Sequence, residues 1–261
     1  MTSSATIIFL FLLFCLPAGP DKNNTQSNKA VGITYTGNMG VLISNEKTAV
    51  WIDGLHEYYR PEYLNPPDYL LEKAYTKMAP FNNLQWLLFT HYHRDHFSKK
   101  LAKDLIQQTA HYKVIGAPQI VDSFSVSDVV NAWNKNAEVL YDDASSLRIK
   151  AFNIPHIWPQ RHAKVQNIAY LVELNGVRIL HAGDADTDID AFNRAGIGSI
   201  DAAIVPEWFI NDEKGKQIIE KLGAKSVIVT HISPGEKHDN NSAIKNAGIV
   251  FFETIGQFTS L

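Results

Sequence analysis

Short apolar runs, each ending at a turn or a polar residue, constrain the fold of this chain more than any other feature. Their lengths and their content of β-branched and aromatic residues predict β-strands. The strands are expected at residues 31–36, 40–43, 49–52, 84–89, 113–115, 147–152, 168–174, 177–180, 202–205, 226–229 and 249–252. Helical patterns lie between them, at residues 99–108, 126–134, 188–194 and 212–222. Because helices follow strands in both halves, we expect an α/β fold with two sheets between helical layers.

The 261-residue chain is long enough for one domain of about 200 to 250 residues or for two small ones. The sequence has no internal repeat of short period, and no linker divides residues 30–261, so we expect one domain there. The 24 Lys and Arg residues nearly balance 27 Asp and Glu residues, and no long run of either sign occurs. This composition does not favour a nucleic acid or an anionic membrane as a partner.

The N-terminal segment differs in composition from the rest of the chain. Residues 7–16 are all apolar, but ten residues cannot span the ~30 Å hydrocarbon core of a bilayer as a helix. A short apolar run that ends in small residues is typical of a secretory signal peptide, although no Lys or Arg precedes this one. We predict a signal peptide at residues 1–19, a polar leader at 20–29, and a periplasmic or secreted protein without a stable membrane span. A short membrane anchor or a buried N-terminal segment is the alternative. Cys15, the only cysteine, lies in the predicted signal peptide, so the mature chain would have no thiolate ligand.

Four potential metal donors lie within six residues, directly after the apolar run at 86–90: His91, His93, Asp95 and His96. A strand that ends at such a cluster places it on a loop at a sheet edge, where functional sites are commonly built. Imidazole nitrogens and carboxylate oxygens are good zinc ligands, and two neighbouring metals could share this segment. The cluster predicts a metal site, with the first two histidines on a turn and the other two donors at the start of the next helix.

Three later strand ends repeat the pattern of an apolar strand followed by a donor. His156, Asp184 and His231 each come within a few residues of the end of a predicted strand. A single histidine after a strand is often only a surface residue. Together with the first cluster, however, these three positions predict one site built from several strand ends.

These residues resemble the motifs of the metallo-β-lactamase superfamily over residues 30–261. The resemblance rests on the His-x-His-x-Asp-His segment at 91–96, on the Asp53-Gly54 pair, and on the Gly183-Asp184 segment, which looks like that of the lactonase and phosphodiesterase-like branch. It implies an αββα four-layer sandwich with two metals at one edge between the sheets. By the same resemblance, one metal would be held by His91, His93 and His156, and the other by Asp95, His96 and His231. Asp184 would bridge the two metals, and Asp53 would orient a ligand imidazole by a hydrogen bond.

The resemblance also implies a hydrolase with two Zn²⁺ ions, or with other divalent metals such as Mn²⁺ or Fe²⁺. A water between two such metals loses a proton near neutral pH and supplies the nucleophile, so no serine or cysteine nucleophile is needed. Asp95 would be the catalytic residue, orienting the hydroxide and carrying a proton to the leaving group. We expect a small ester, a lactone or a phosphodiester as the substrate. Trp158, Trp208 and Phe209 are candidates for an apolar pocket wall, with core packing as their alternative role.

Other histidines leave alternatives open. His162 is an alternative to His156, but His156 follows its strand more directly and matches the family better. His56, His111 and His238 have no comparable setting, so we expect them to be exposed. His181 is expected either to support the site or to pack as a strand residue.

An iron-dependent oxidoreductase of the same fold and a β-lactamase are the alternative functions. The di-iron branch has an acid at the position of His93, and the β-lactamases lack the aspartate at the position of Asp184, so both alternatives fit this chain less well. A non-catalytic binding module is expected to have lost ligands, whereas every expected donor is present here. The segment 57–81, rich in Tyr, Pro and Leu, resembles a loop that caps the site.

Overall fold

The computed structural model describes residues 30–59, 63–108, 112–124, 129–233, 235, 244 and 246–261, so the predicted signal peptide and polar leader lie outside the described residues. The described strands are β1 (Gly32–Gly37), β2 (Gly40–Ser44), β3 (Ala49–Ile52), β4 (Leu84–Leu88), β5 (Lys113–Gly116), β6 (Val129–Asn131), β7 (Ala137–Asp142), β8 (Leu147–Asn153), β9 (Ile168–Leu174), β10 (Val177–His181), β11 (Ala202–Pro206), β12 (Ser226–Thr230), β13 (Gly248–Phe251) and β14 (Phe258–Ser260). The described helices are α1 (Asp68–Tyr75), α2 (Lys99–Gln108), α3 (Pro118–Val121), α4 (Ile189–Ala195), α5 (Trp208–Asn211) and α6 (Glu213–Leu222).

The strands form two seven-stranded sheets, with the orders β14-β1-β2-β3-β4-β5-β6 and β13-β12-β11-β10-β9-β8-β7. In the first sheet the neighbours from β3 to β6 are parallel, and in the second sheet those from β10 to β13 are parallel. The other neighbouring pairs are antiparallel. Both sheets are therefore mixed.

The packing of strand β3 explains why its sequence is apolar at every position. Val50 and Ile52 pack in the core between the two sheets, whereas Ala49 and Trp51 pack on the opposite face with residues of α1, α2 and α3. Successive side chains of a strand point to opposite faces, so a strand covered on both sides needs an unbroken apolar run. The second sheet is covered in the same way on its outer face by α4, α5 and α6. The layers are helices, sheet, sheet and helices, which confirms the predicted αββα sandwich.

Every strand predicted from the sequence is present, with ends that differ by no more than one residue. The predicted helix at 126–134 is wrong, because Val129–Asn131 forms β6 and pairs in parallel with β5. β-branched valines lose side-chain freedom in a helix and pack well on a sheet, and the edge of β5 supplies the hydrogen-bonding partner. Residues 126–128 of that prediction lie outside the described residues.

Strand ends from both sheets meet at one edge of the sandwich. Parallel strands have their carboxyl ends at the same edge, and this edge collects the ends of β3 and β4 in one sheet and of β8, β10 and β12 in the other. Two hydrogen bonds tie the sheets together there: Ile168 N donates to Thr90 O at 2.9 Å, and the Tyr170 hydroxyl donates to Phe89 O at 2.9 Å. The topology thus brings the predicted donors to a common place.

Among the described residues, no helix has both the length and the apolar composition needed to cross a membrane.

Candidate metal centre

The segment after β4 turns sharply and carries four of the predicted donors. Backbone amides of His96 and Phe97 both donate to His93 O, at 3.0 and 2.9 Å, and so close a turn. Helix α2 begins only at Lys99. Asp95 and His96 therefore lie in this turn. The sequence predicts them at the start of the next helix, so the structure places them slightly earlier in the chain than the helix.

A first group of donors consists of His91, His93, His156 and Asp184, which offer one ligand atom each within 4.8 Å of one another. Nδ1 of His93 lies 2.9 Å from Nε2 of His91 and 3.2 Å from Nε2 of His156. Oδ2 of Asp184 lies 3.7 Å from the His91 nitrogen and 3.4 Å from the His156 nitrogen. Ligands about 2.0–2.1 Å from a tetrahedral zinc ion are about 3.3 Å apart, so this spacing fits one metal.

A second group consists of Asp95, His96 and His231. Oδ2 of Asp95 lies 3.7 Å from Nε2 of His96 and 3.5 Å from Nε2 of His231. Asp184 reaches this group as well, because its Oδ1 lies 3.2 Å from His96 Nε2 and its Oδ2 lies 3.6 Å from His231 Nε2. Asp184 is thus the residue that contacts both groups.

Three ligand atoms at this place are buried and form no hydrogen bond to the described residues: Nε2 of His96, Nε2 of His231 and Oδ1 of Asp184. Leaving a buried polar atom without a partner costs about 1–3 kcal/mol, so proteins rarely do so without a reason. A cation between these atoms would satisfy all three at once. The two groups together fit a dinuclear site for divalent metals.

Asp53 and Thr90 fix the ring orientation of two of these histidines. Oδ2 of Asp53 accepts hydrogen bonds from Nδ1 of His96 at 2.9 Å and from the Thr90 hydroxyl at 2.6 Å, while its Oδ1 accepts one from Thr90 N at 2.8 Å. Because the Thr90 hydroxyl hydrogen points to Asp53, its oxygen accepts from Nδ1 of His91 at 3.1 Å. In both histidines Nδ1 donates, so Nε2 is the nitrogen that can bind a metal when it carries no proton.

His91 and His93 are held in the neutral form that binds metals. Burial, together with the charge of His96, lowers the pKa of His91 well below its ordinary value. Burial and the neighbouring His156 lower the pKa of His93 to about 4. At neutral pH neither imidazole has to lose a proton before it can act as a ligand.

Two carboxylates and two imidazoles among the other donors form a balanced set of charges. Burial lowers the pKa of His96 and of His231, but the carboxylates of Asp184 and Asp95 outweigh it. They raise the pKa of His96 well above its ordinary value and that of His231 to about 9. Burial likewise raises the pKa of both carboxyls, but His96 and His231 outweigh it, so the pKa of Asp95 falls to about 2 and that of Asp184 lies well below its usual range. A metal cation bound between these two carboxylates and two imidazoles would replace the protons that the imidazoles hold in its absence.

A family model of the beta-lactamase superfamily domain matches residues 32–231 of the chain. The chain belongs to this superfamily. A comparison with curated proteins gave no match.

Solved structures show the same metallo-β-lactamase fold. Igni18, a novel metallo hydrolase from Ignicoccus hospitalis, has a TM-score of 0.63 and 18% identity, covering 89% of this chain and 98% of that one. YhfI, a metallo-beta-lactamase fold protein from Bacillus subtilis, has a TM-score of 0.63 and 13% identity, covering 89% of this chain and 99% of that one. CmlA, a diiron beta-hydroxylase from Streptomyces venezuelae, has a TM-score of 0.57 and 14% identity, covering 89% of this chain and 54% of that one. At these identities the likeness is to the fold alone.

Two asparagines of this superfamily member support the donors, and the sequence did not reveal them. Asn167 accepts a hydrogen bond from Asp184 N at 3.2 Å and donates to Ile154 O at 3.1 Å, so it fixes the turn that carries Asp184. The side-chain amide of Asn38 donates to Asp95 O at 3.0 Å, and the backbone carbonyl of Asn38 accepts from His231 N at 3.3 Å. Thr90, whose hydroxyl lies between Asp53 and His91, was not identified from the sequence either. The Gly37-Asn38 pair, which is typical of a turn, is the sequence signal that could have identified Asn38. In the structure Asn38 has a φ of 44°.

The remaining histidines differ in their placement. The ring of His162 lies 4.4 Å from that of His156 and 5.1 Å from that of His93, but His162 is outside both donor groups. His181 is a packed strand residue that also supports the site: its Nε2 donates to Met39 O at 2.9 Å, and its Nδ1 accepts from Gly183 N at 3.2 Å.

The expectation that His56 is exposed is wrong. It is buried, and its Nε2 donates to Gly37 O at 3.2 Å. Burial and the nearby His96 lower its pKa to about 4, so it packs as a neutral ring. His111 and His238 lie outside the described residues.

A cavity of about 550 Å³ opens onto both donor groups. Trp158 and Trp208 line it, as predicted for a pocket wall, together with Tyr59 and Tyr63 from the predicted capping segment. Phe209 takes the alternative role, since it is buried in the core and its ring packs edge-on to Phe192 at 5.9 Å. The capping segment also contains α1, which packs its apolar face against the first sheet.

Proposed function

We propose that this protein is a metal-dependent hydrolase with a dinuclear centre. The observation that carries the proposal is the convergence of seven donors in two groups, three of whose ligand atoms are buried without a hydrogen bond to the described residues. In the proposal, one metal is held by His91, His93 and His156, the other is held by Asp95, His96 and His231, and Asp184 lies between the two. Two Zn²⁺ ions are the proposed cofactor, with Mn²⁺ or Fe²⁺ as substitutes of similar charge.

The bound pair of cations would supply a hydroxide at neutral pH and polarise the substrate oxygen. The protein's own residues then determine how the water and the protons are handled. Asp95 is the proposed catalytic residue: its buried carboxylate, fixed by Asn38, orients the attacking water and passes a proton toward the leaving group. A pKa of about 2 keeps this carboxylate ionised at neutral pH, so it can accept a hydrogen bond from the attacking water. Asp53 and Thr90 keep the imidazoles of His91 and His96 in the required orientation.

The charge around the cavity supports an anionic substrate. Among the described residues that line it, the carboxylates are Asp95 and Asp184, and both are proposed metal ligands. Arg94 and Arg161 line the same cavity, and Arg94 is paired with Glu57 at 3.6 Å. With two divalent cations bound, the surroundings are positive, which favours a small negatively charged ester such as a phosphodiester over a neutral ester or lactone.

The decisive experiment combines metal analysis with a hydrolysis screen. The protein without residues 1–19 is reconstituted with Zn²⁺, its metal content is measured, and it is tested on a lactone, a bis-aryl phosphodiester and a β-lactam. We expect about two metals per chain and zinc-dependent turnover of the phosphodiester, with both strongly reduced in His91→Ala. Metal content below about one per chain, or turnover that persists in His91→Ala, would contradict the proposal. Oxygen consumption with iron in place of hydrolysis would favour the oxidoreductase alternative.

We further propose that the chain is exported, on the basis of its apolar residues 7–16. Expression of the full chain followed by fractionation and N-terminal sequencing tests this. A shortened chain outside the cytoplasm is expected, and an intact N-terminus in the cytoplasm would contradict export.

A further inference from the structure

Exposed aromatic side chains gather at the mouth of the metal cavity. Trp158 is 60% exposed, Tyr59 is 43% exposed and Tyr92 is 42% exposed, and all three line this one cavity. Large apolar side chains scattered singly over a surface need no explanation, but their concentration around a concave site marks a surface that binds a ligand.

Trp158 also has an unfavourable backbone conformation. Its φ is 54°, in the left-handed region that bulky residues rarely adopt. The turn is held by the amides of Arg161 and His162, which both donate to Trp158 O, at 2.9 and 3.0 Å. Core packing does not explain this strained position, because most of the indole is in contact with solvent. Strained residues of this kind concentrate at ligand sites.

The aromatic rings form an open wall above the first donor group. The rings of Trp158 and His162 are nearly parallel, with 29° between their planes and 6.3 Å between their centroids. The series continues through His93, 5.1 Å from His162, to Tyr92, 5.2 Å from His93. Trp158 and Tyr92 are the exposed ends of this series.

Another part of the lining is packed against the second donor group. Tyr63 and Trp208 pack edge-on against the ring of His231, at 4.4 and 5.2 Å, and the indole nitrogen of Trp208 donates to Ala185 O at 2.9 Å. Both rings are half-buried. The two parts of the lining thus differ in exposure: Tyr63 and Trp208 are half-buried, whereas Trp158 is 60% exposed and Tyr92 is 42% exposed.

We propose that Trp158, the most exposed ring of this series, binds a planar apolar group next to the scissile bond, so that the preferred substrates are anionic esters with an aryl or similar planar substituent. Flat rings bind one another in offset or edge-on arrangements, with centroids about 4.5–7 Å apart, and an alkyl group of one carbon cannot replace this contact. The inference rests on the proposed hydrolase function, because it names the substrate class of that site.

Two substrates with the same leaving group test it: phenyl 4-nitrophenyl phosphate and methyl 4-nitrophenyl phosphate, with the zinc-loaded full mature chain. Because both substrates share the 4-nitrophenyl leaving group, the ratio of their kcat/KM values reports the preference for an aryl group on the ester oxygen that is retained, and the metal chemistry cancels when variants are compared. We expect Trp158→Ala to lower this ratio roughly five- to tenfold and Trp158→Phe to lower it less than threefold. Tyr141→Ala in β7, which removes an aromatic ring of similar exposure that does not line the cavity, is the matched control and should leave the ratio unchanged.

A binding measurement separates failure of this inference from failure of the proposed function. Phenylphosphonate and methylphosphonate are titrated calorimetrically into the zinc-loaded wild type and into Trp158→Ala. We expect Trp158→Ala to weaken binding of phenylphosphonate roughly fivefold more than binding of methylphosphonate. Absence of turnover with this selective binding loss would overturn the hydrolase proposal alone. An unchanged aryl preference in both assays would overturn the role of Trp158 while leaving the hydrolase intact.

Discussion

Oδ2 of Asp53 lies 2.9 Å from Nδ1 of His96, and both side chains are fully buried. Because the Thr90 hydroxyl donates to the same carboxylate and accepts from His91, Asp53 acts on one histidine of each donor group. A single carboxylate behind the site therefore sets the ring orientation on both sides of it. Partners of this kind raise the basicity of a ligand imidazole as well as fixing its orientation.

Asp53→Asn is expected to weaken metal binding about 10- to 100-fold, because the amide removes the charge that holds Nδ1–H of His96. Competition with a chromophoric chelator measures the affinity, and circular dichroism checks that the chain is folded. Asp104→Asn, on the exposed face of α2 where Asp104 pairs with Lys100, is the matched control and should bind metal as the wild type does. Wild-type affinity in Asp53→Asn would show that the hydrogen bond to His96 does not influence the metals.

His156 and His162 offer a second comparison, because their rings are 4.4 Å apart and only His156 belongs to a donor group. We expect His156→Ala to retain about one metal per chain and His162→Ala to retain two, as measured by mass spectrometry of the metal after dialysis. The physical reason is that Nδ1 of His156 is paired with Ile157 O at 2.8 Å, which directs Nε2 toward His93 and Asp184. Loss of a metal in His162→Ala, with none lost in His156→Ala, would reverse the assignment.

The convergence of the candidate donors could be predicted from the sequence because each lies within a few residues of the end of an apolar run. Parallel strands end at the same edge of a sheet. A donor at the end of such a strand, as at His91, Asp184 and His231, is therefore expected to lie near the other donors in space. Asn38 and Asn167 lacked such a signal: their roles depend on contacts with Asp95 and Asp184, across 57 and 17 residues of chain. Asparagine near a turn is common for purely local reasons, so these contacts could not be inferred from the pattern.

The errors have a related cause. Residues 129–131 form a strand because β5 offers its edge, and no window of the sequence contains that partner. Strand β7, from 137 to 142, was not predicted because its residues are partly exposed and of mixed polarity. His56 is buried because its neighbours in space are Gly37 and the turn after β4 that carries His96, not because of its neighbours in sequence. Tertiary contacts, more than local propensity, determined each of these cases.

Metal binding is expected to release protons from two imidazoles. His231 has a pKa of about 9 and His96 one well above its ordinary value, so in the chelator-treated protein both are protonated at pH 7. A metal needs their lone pairs, and binding at pH 7 therefore releases about two protons from these ligands. Because the folded pKa values are raised, affinity should increase as pH rises from 6 toward about 9.

Calorimetric titration of Zn²⁺ in buffers of different ionisation enthalpy measures the protons released. His231→Ala should release about one fewer than the wild type, while the His93 imidazole, with a pKa of about 4, contributes none in this range. Release of less than one proton per chain at pH 7, or affinity that falls as pH rises, would be incompatible with this charge balance.

Gly183 precedes Asp184 with a φ of 58°, and a Cβ there would lie 2.6 Å from Oδ1 of Asn167 and 2.8 Å from Cβ of Thr90. Gly176, in the turn between β9 and β10, also has a positive φ of 83°, but a Cβ there would have no atom within 4 Å. Gly176→Ala is therefore expected to cost about 1–2 kcal/mol of unfolding free energy from the backbone alone. Gly183→Ala should cost about 1–3 kcal/mol more, because the methyl group also crowds the core.

Urea unfolding of the metal-free variants, analysed with a common slope, gives this difference. Gly183→Ala should additionally lose metal affinity, because the methyl group displaces the Asn167 oxygen that holds Asp184 N. Gly176→Ala lies away from the donors and should bind metal normally. Equal destabilisation of the two variants, with unchanged metal binding in both, would mean that the close approach of Gly183 to Asn167 and Thr90 does not position Asp184.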